Sequence, residues 1–254
     1  MNDAMLLKLK QLKLSGIAKT IDMRNEQALK DNMSYMEFME LLISDEFNNR
    51  QNNAIKRRVQ SSKFPQSKTL EEYNFRFQPS IDKRFIYNLG TCEFVRKKEN
   101  VAFIGPPGTG KTHLAIALGT MAIKQGYNVL FTTVNNMLEE LYISRADNSF
   151  HQKLKHYIKP DLLILDELGL RKLNQNNIDD FYEIISRRYE QGSIIITSNK
   201  VFDEWGKIFY DPVLATAILD RFVHHCNFVL IKGDSYRMKQ QEKTLKAIAE
   251  KEAN

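Results

Sequence analysis

Gly105-Pro106-Pro107-Gly108-Thr109-Gly110-Lys111-Thr112 is the stretch from which the rest of the chain can be read. It fits G-x-x-x-x-G-K-[ST], a loop whose glycines let successive backbone N–H groups curl around a row of phosphates. A helix opening after it would point its positive end at the same place. Lys111 is expected to reach the β- and γ-phosphates, and the Thr112 hydroxyl to ligate Mg²⁺. The expected nucleotide cradle is these eight residues with His113 beside them. The context agrees. Residues 100–104 (NVAFI) read as a short buried strand, and residues 114–124 as an Ala- and Leu-rich helix with no breaker before Gly126. Strand, glycine loop, helix is the order that phosphate binding needs.

A phosphate loop alone gives binding, not an activity. The next informative run is Leu162-Leu163-Ile164-Leu165-Asp166-Glu167. An apolar strand here delivers two adjacent carboxylates to its C-terminal end, where α/β sheets place ligands. Asp166 is expected to hold the Mg²⁺ shell, and Glu167 to orient or deprotonate the attacking water. Thr197-Ser198-Asn199 ends the following apolar strand. In a parallel sheet the Asn199 amide could bond both that water and the γ-phosphate. A kinase for small molecules must exclude water, so a water-orienting Glu favours hydrolysis over phosphoryl transfer. Arg221, in Leu219-Asp220-Arg221-Phe222, is the fourth candidate. Inserted from a neighbouring subunit it would stabilise γ-phosphate charge, whereas at home it would simply pair with a surface acid.

From about residue 80 onward strands and helices alternate, which implies an α/β fold with a parallel sheet covered on both faces. The strands expected are 100–104, 128–133, 161–166, 193–197 and 227–231. The helices expected are 80–96, 114–124, 134–145, 150–157, 174–190, 211–224 and 235–251, with Ser80 and Asn174 as caps and Pro212 in a first helical turn. Residues 1–75 read instead as a small all-α domain, leaving 76–254 for the nucleotide domain. Met5, Leu6, Leu9, Leu12 and Leu14 suggest a first amphipathic helix, which Ser15 and Gly16 could break to start a second. Ser34 with Glu37 is a capping box opening a long helix that could pass Val59. Pro65 ends the region.

The net charge of +6 permits an anionic partner without requiring one. Cys92 and Cys226 stand far apart, with neither zinc-ligand spacing nor any sign of an oxidising compartment. No apolar run suits a membrane span and the N-terminus shows no signal-peptide core, so a cytoplasmic protein is expected.

The motifs resemble those of AAA+ ATPases, specifically the IstB-like transposition helper ATPases of bacterial insertion sequences. Four stretches carry the resemblance: LKQLKLSG at 9–16, GPPGTGKTHLAIALG at 105–119, LLILDELG at 162–169 and GDSYR at 233–237. The first and last are the most specific, because the P-loop core is shared by many ATPases. The resemblance implies an AAA+ core with a five-stranded parallel sheet, a helical domain in front and a reduced lid behind. Only about 55 residues follow Asn199, too few for a full lid. It implies ATP and Mg²⁺ as cofactors and a homo-oligomer with ATP at subunit interfaces. That oligomer would assemble on double-stranded DNA and recruit and activate the transposase of the same element. Arg221 matches the arginine finger of the family, and Arg237 falls where a sensor arginine would sit.

Basic residues that could meet DNA phosphates are Arg57 and Arg58 in the acid-free stretch 50–68, and Arg145, Lys153 and Lys155 between the second and third strands. A solvated helix face explains either set equally well. Arg171-Lys172, after the acidic motif, could touch a phosphate too. Two other functions remain open at this level: a DnaC-like loader of a replicative helicase, and a monomeric small-molecule kinase.

Overall fold

A computed structural model describes residues 3–170, 173, 175–209, 211–239 and 241. The chain divides into two compact units, Met1–Arg58 and Val59–Asn254.

The first unit is helical, with α1 (Asp3–Gln11), α2 (Ser15–Lys30) and most of α3 (Tyr35–Ser61). Its small core is Leu9, Ile21 and Leu42, backed by Leu14, Ile17, Ala18 and Phe38. The capping box at α3 forms as expected: the Glu37 carboxylate accepts from the Ser34 N–H at 2.7 Å, and the Glu37 N–H donates to Ser34 Oγ at 3.3 Å. Gly16 lets α2 approach α3, since a Cβ there would stand 2.6 Å from Glu46 Cα. Glu46, 6% exposed, accepts from the Gly16 and Ile17 N–H groups at 2.6 and 3.2 Å. The first N–H groups of α2 thereby gain a carboxylate, the charge that a helix N-terminus favours.

The second unit carries a five-stranded sheet in the order β2-β3-β4-β1-β5, every pair parallel. The strands are β1 (Asn100–Ile104), β2 (Val129–Thr133), β3 (Leu162–Leu168), β4 (Ser193–Ser198) and β5 (Cys226–Leu230). Alternate residues face opposite ways. Ala102, Ile104, Leu163, Leu165, Ile194 and Ile196 join one core with residues of α7 (Val134–Ile143), α8 (Phe150–Ile158), α9 (Gln175–Arg188) and α10 (Pro212–Val223). On the other face α6 (Lys111–Lys124) crosses β1 to β4, with Gly119 close over Ile164. Asp211 caps α10 by accepting from the Val213 and Leu214 N–H groups, with Pro212 in its first turn.

Arg188, at the end of α9, is fully buried and donates to five backbone carbonyls, those of Tyr157, Ile158, Pro160, Asp161 and Ser193. Burial pushes its guanidinium down to about 10.

The structure departs from the sequence reading in several places. The helix expected over 80–96 is two short ones, α4 (Lys83–Leu89) and α5 (Glu93–Arg96). Its cap is Asp82, which accepts from the Arg84 and Phe85 N–H groups, not Ser80. The break falls where Cys92 takes a left-handed φ of +58°. Phe202–Lys207 forms a 3₁₀ helix that seats Trp205 in the core. Residues 59–75, expected with the helical domain, belong to the second unit. Their apolar groups explain why: Phe64 lies over Gly119 and against Phe131, and Leu70 and Tyr73 are buried. Asn174, Arg171, Lys172 and most of the helix expected over 235–251 lie outside the described residues.

Candidate nucleotide site

β1 ends at Ile104 and α6 begins at Lys111, so the glycine loop spans the C-terminal edge of the sheet. Gly108 and Gly110 take φ of +79° and +93°. Neither has room for a side chain, because a Cβ on Gly108 would meet Ser235 Oγ at 2.1 Å and one on Gly110 would meet Tyr73 Cε2 at 2.5 Å. The loop is thus held open by neighbours as well as by its own sequence. Lys111 turns back into it, donating from Nζ to the carbonyls of Gly105 at 2.7 Å and Pro106 at 2.8 Å. Burial lowers its pKa.

Across the loop, Thr112 Oγ1 donates to the Asp166 carboxylate, 2.9 Å from Oδ1 and 3.1 Å from Oδ2. A hydroxyl and a carboxylate so placed are oxygen donors suited to Mg²⁺, a hard cation that uses few protein ligands. The register of β3 against β4 shifts between Leu165 and Leu168, with one more residue on β3 than on its partner. This bulge sets Asp166 and Glu167 together opposite Thr197. Thr197 Oγ1 donates to Asp166 and accepts the Glu167 N–H at 3.0 Å. Glu167 adopts φ of +66° and is exposed, while Asp166 is 5% exposed. The bulge therefore separates two adjacent carboxylates into a buried one beside Thr112 and an open one facing the cavity.

That cavity is lined by Pro107, Gly108, Lys111, Thr112, Glu167, Leu170, Thr197, Asn199 and Arg237. It brings together most of the expected set. Arg237 arrives on the GDSYR tail, which is tied to the loop by the Tyr236 N–H donating to the Gly108 carbonyl at 3.0 Å. A larger cavity, about 270 Å³, opens on the other side of the loop between Tyr73, Phe77, Gln78, Tyr236 and Thr109 to His113. Its aromatic and amide lining suits a nucleoside base.

His113 holds the segment preceding the sheet rather than facing the loop: its Nε2 is 2.7 Å from the Thr69 carbonyl, and its ring meets Tyr73 edge-on. Tyr73 is a residue the sequence reading missed. Its buried hydroxyl donates to the Thr109 carbonyl at 2.8 Å, and desolvation pushes its pKa up. Gln78 was missed too; it donates to the Asp234 carbonyl at 2.9 Å. A cluster of aromatics over 73–77, upstream of the strand and its glycine loop, was the available signal.

Arg221 lines neither cavity. Its guanidinium lies 5.1 Å over the Tyr182 ring and donates to the Ala217 carbonyl at 3.2 Å. The next residue, Phe222, accepts from the Asn100 side chain at 2.9 Å, so this end of α10 sits where β1 begins, away from the glycine loop. Of the basic candidates, Arg145 is bonded to both Asp180 carboxylate oxygens and stacks on Phe150. Lys153 pairs with Glu140 at 3.0 Å. Arg57 and Lys155 are exposed, and Arg58 is half-buried.

A parallel 2-3-4-1-5 sheet with a glycine loop after β1 and an acidic bulge on β3 defines an ATP-binding protein of the AAA+ P-loop class. Solved structures agree on the fold. A DNA replication initiation factor matches with TM-score 0.52 at 25% identity, covering 70% of this chain and 54% of that one. The DnaC helicase loader matches with TM-score 0.51 at 22% identity, over 70% of this chain and 99% of that one. Within the class the chain belongs to the family of IstB-like ATP binding proteins, which it matches over residues 7–244. It is 41% identical over 235 residues to the ATP-binding protein of insertion sequence IS21 from Pseudomonas aeruginosa, covering 92% of this chain and 89% of that one. To that of IS5376 from Geobacillus stearothermophilus it is 42% identical over 231 residues, covering 91% and 92%.

Proposed function

We propose that this protein hydrolyses ATP with Mg²⁺ to time its assembly on double-stranded DNA, where it recruits and activates the transposase of its insertion sequence. The observation that carries the reading is the convergence of Lys111, Thr112, Glu167, Asn199 and Arg237 on one cavity, while Arg221 lies at the other end of the sheet. The site has a phosphate cradle, a carboxylate open to water, a polar sensor and Arg237 in the place of a sensor arginine, while the finger candidate Arg221 lines no part of it. A second subunit supplies Arg221, so hydrolysis waits on oligomerisation. The kinship with insertion-sequence proteins supports transposition as the setting, and a cytoplasmic location goes with it. Among the described residues no helix is long and apolar enough to cross a membrane.

When bound, Mg²⁺ neutralises charge on the β- and γ-phosphates. Thr112 and Asp166 hold it, Lys111 leaves the Gly105 and Pro106 carbonyls for the phosphates, and the Glu167 carboxylate takes a proton from water that Asn199 helps to orient. The base lies between Tyr73, Phe77 and Tyr236. Arg57 and Lys155 are the exposed cations available to DNA phosphates. Arg145 and Lys153 must first leave Asp180 and Glu140.

Glu167→Gln tests the reading. It should bind ATP normally, release phosphate at less than about a hundredth of the native rate, and hold the protein on duplex DNA. Phosphate release and duplex-DNA size exclusion with ATP measure both. Native turnover in the variant removes Glu167 as the base. A native chain that stays monomeric with DNA and ATP analogue removes the assembly reading and favours a kinase.

A further inference from the structure

A separate polar cluster sits at the opposite end of the sheet from the glycine loop. α9 and α10 pack side by side, and the residues just beyond them meet. The donor atoms of Glu190, His224 and His225 all lie within 4.8 Å of one another. His225 Nε2 is 3.9 Å from the Glu190 carboxylate, and the two imidazole rings are 4.0 Å apart between centroids. The Tyr189 hydroxyl lies 2.9 Å from His224 Nδ1. The backbone beneath is fixed, because the His225 carbonyl accepts the Asn100 N–H at 2.7 Å at the start of β1.

We infer that Glu190, His224 and His225 form a binding site for a divalent transition-metal ion of the zinc class. Two imidazoles and one carboxylate suit zinc, whereas Mg²⁺ and Ca²⁺ prefer all-oxygen shells. Ligand atoms around tetrahedral zinc stand about 3.4 Å apart, so rotation of these exposed side chains closes the site without backbone movement. Tyr189 fixes the orientation of the His224 ring, as outer-shell partners of metal-bound histidines do. Three protein ligands leave a fourth position for water or a group from another molecule.

The location gives the ion a consequence, which rests on the arginine-finger role proposed above for Arg221. Arg221 precedes His224 by three residues, one turn of helix, and its guanidinium lies over Tyr182 of α9. An ion joining the exits of α9 and α10 would clamp the helix pair that presents Arg221. Binding of the ion itself does not depend on that reading.

Untagged full-length protein, free of nucleotide, is titrated with zinc chloride by calorimetry in a non-chelating buffer. The expected result is one ion per chain with Kd of about 1 µM or tighter. His225→Ala and Glu190→Gln should each weaken binding at least about tenfold, and Tyr189→Phe by a smaller factor. The Glu190 and His225 side chains are exposed and Tyr189 is half-buried, and circular dichroism checks that each variant keeps the native helix content. Excess Mg²⁺ should not compete. Absence of saturable binding, or an affinity unchanged in both ligand variants, overturns the site and leaves an adventitious ion only. If zinc binds as expected but leaves DNA-stimulated phosphate release by the native chain unaltered, the coupling to Arg221 falls while the metal site stands.

Discussion

Thr197 does more at the nucleotide site than its type suggests. One hydroxyl serves two neighbours, giving its proton to Asp166 and accepting the Glu167 N–H. The residue is 1% exposed, so no solvent replaces either bond. Removing the hydroxyl leaves a buried carboxylate short of a donor and a backbone N–H short of an acceptor. A hydrogen bond to a charged group is worth about 1.5–3 kcal/mol, and 1.4 kcal/mol is a factor of ten. Thr197→Val keeps the side-chain shape and should slow phosphate release by roughly ten- to a hundredfold if the bulge loosens. ATP affinity should change by less, because the glycine loop and Lys111 stay in place. Steady-state phosphate release beside fluorescent-nucleotide binding separates the two effects, and an equal loss in both would mean that Thr197 merely holds the fold. Asp166 and Glu167 could be read from the chain because they end an apolar run. The sharing of one hydroxyl between them could not, since it depends on a bulge whose extra residue appears only when β3 is laid against β4.

At the scale of elements, α2 and α3 are joined by charge as much as by apolar packing. Arg24 makes two bonds of 2.8 Å to the Asp45 carboxylate, and Glu46 takes the first N–H groups of α2. The Arg24 guanidinium holds Asp45 down at about 2. Glu46 is also lowered: burial opposes the shift, while Arg50 and the Gly16 and Ile17 N–H groups outweigh it. Carboxyls depressed in the folded state contribute stability that is fully present above their unfolded values, near 4, and is lost as pH falls through the folded ones. The Asp45 part is present at neutral pH and lost as the carboxyl protonates, and solvent screening keeps it modest. Helix content of the full chain, followed by circular dichroism, should therefore decline between about pH 4 and pH 2. Asp45→Asn should lose that part of the pH dependence and be less stable than native at pH 7. An identical acid profile in the variant would show that the pair contributes nothing. Most helices and strands were readable, the split helix over 80–96 and the 3₁₀ helix at Phe202–Lys207 excepted: Ser34 with Glu37, Asp211 with Pro212 and the runs NVAFI, LLIL and SIII carry local signals. Segment 62–78 was not. Tyr73, Phe75 and Phe77 alternate as strand residues would, yet they sit in turns, and the partners of Tyr73 and Gln78, Thr109 and Asp234, lie far along the chain.

At the scale of the whole molecule, the position of Arg221 bears on the proposal that a second subunit completes the ATP site. β1 contains five residues and so spans roughly 15 Å. The glycine loop follows its end, while Phe222, beside Arg221, is bonded to its first residue. The Tyr182 ring and the Ala217 carbonyl further restrain the guanidinium. No side-chain rotation crosses that span, so the proposed finger role requires Arg221 to meet the γ-phosphate of another copy of the chain. An arginine acting there in trans is worth 10³–10⁵ in rate in the best-studied cases, roughly 4–7 kcal/mol. Arg221→Ala should therefore bind ATP and DNA as the native chain does yet release almost no phosphate. Lys111→Ala should be inactive for the opposite reason, an intact Arg221 beside an empty cradle. Mixed in equal amounts on duplex DNA, the two variants pair a working cradle from one chain with a working arginine from the other at about a quarter of the interfaces of a randomly mixed ring or filament, an order-of-magnitude expectation for closed or open heterologous assemblies. Phosphate release should return to a comparable fraction of the native rate and vanish on dilution below the assembly concentration. A mixture as inactive as its components, with both variants shown to co-assemble by size exclusion, would mean that Arg221 serves its own subunit's fold and not its neighbour's nucleotide.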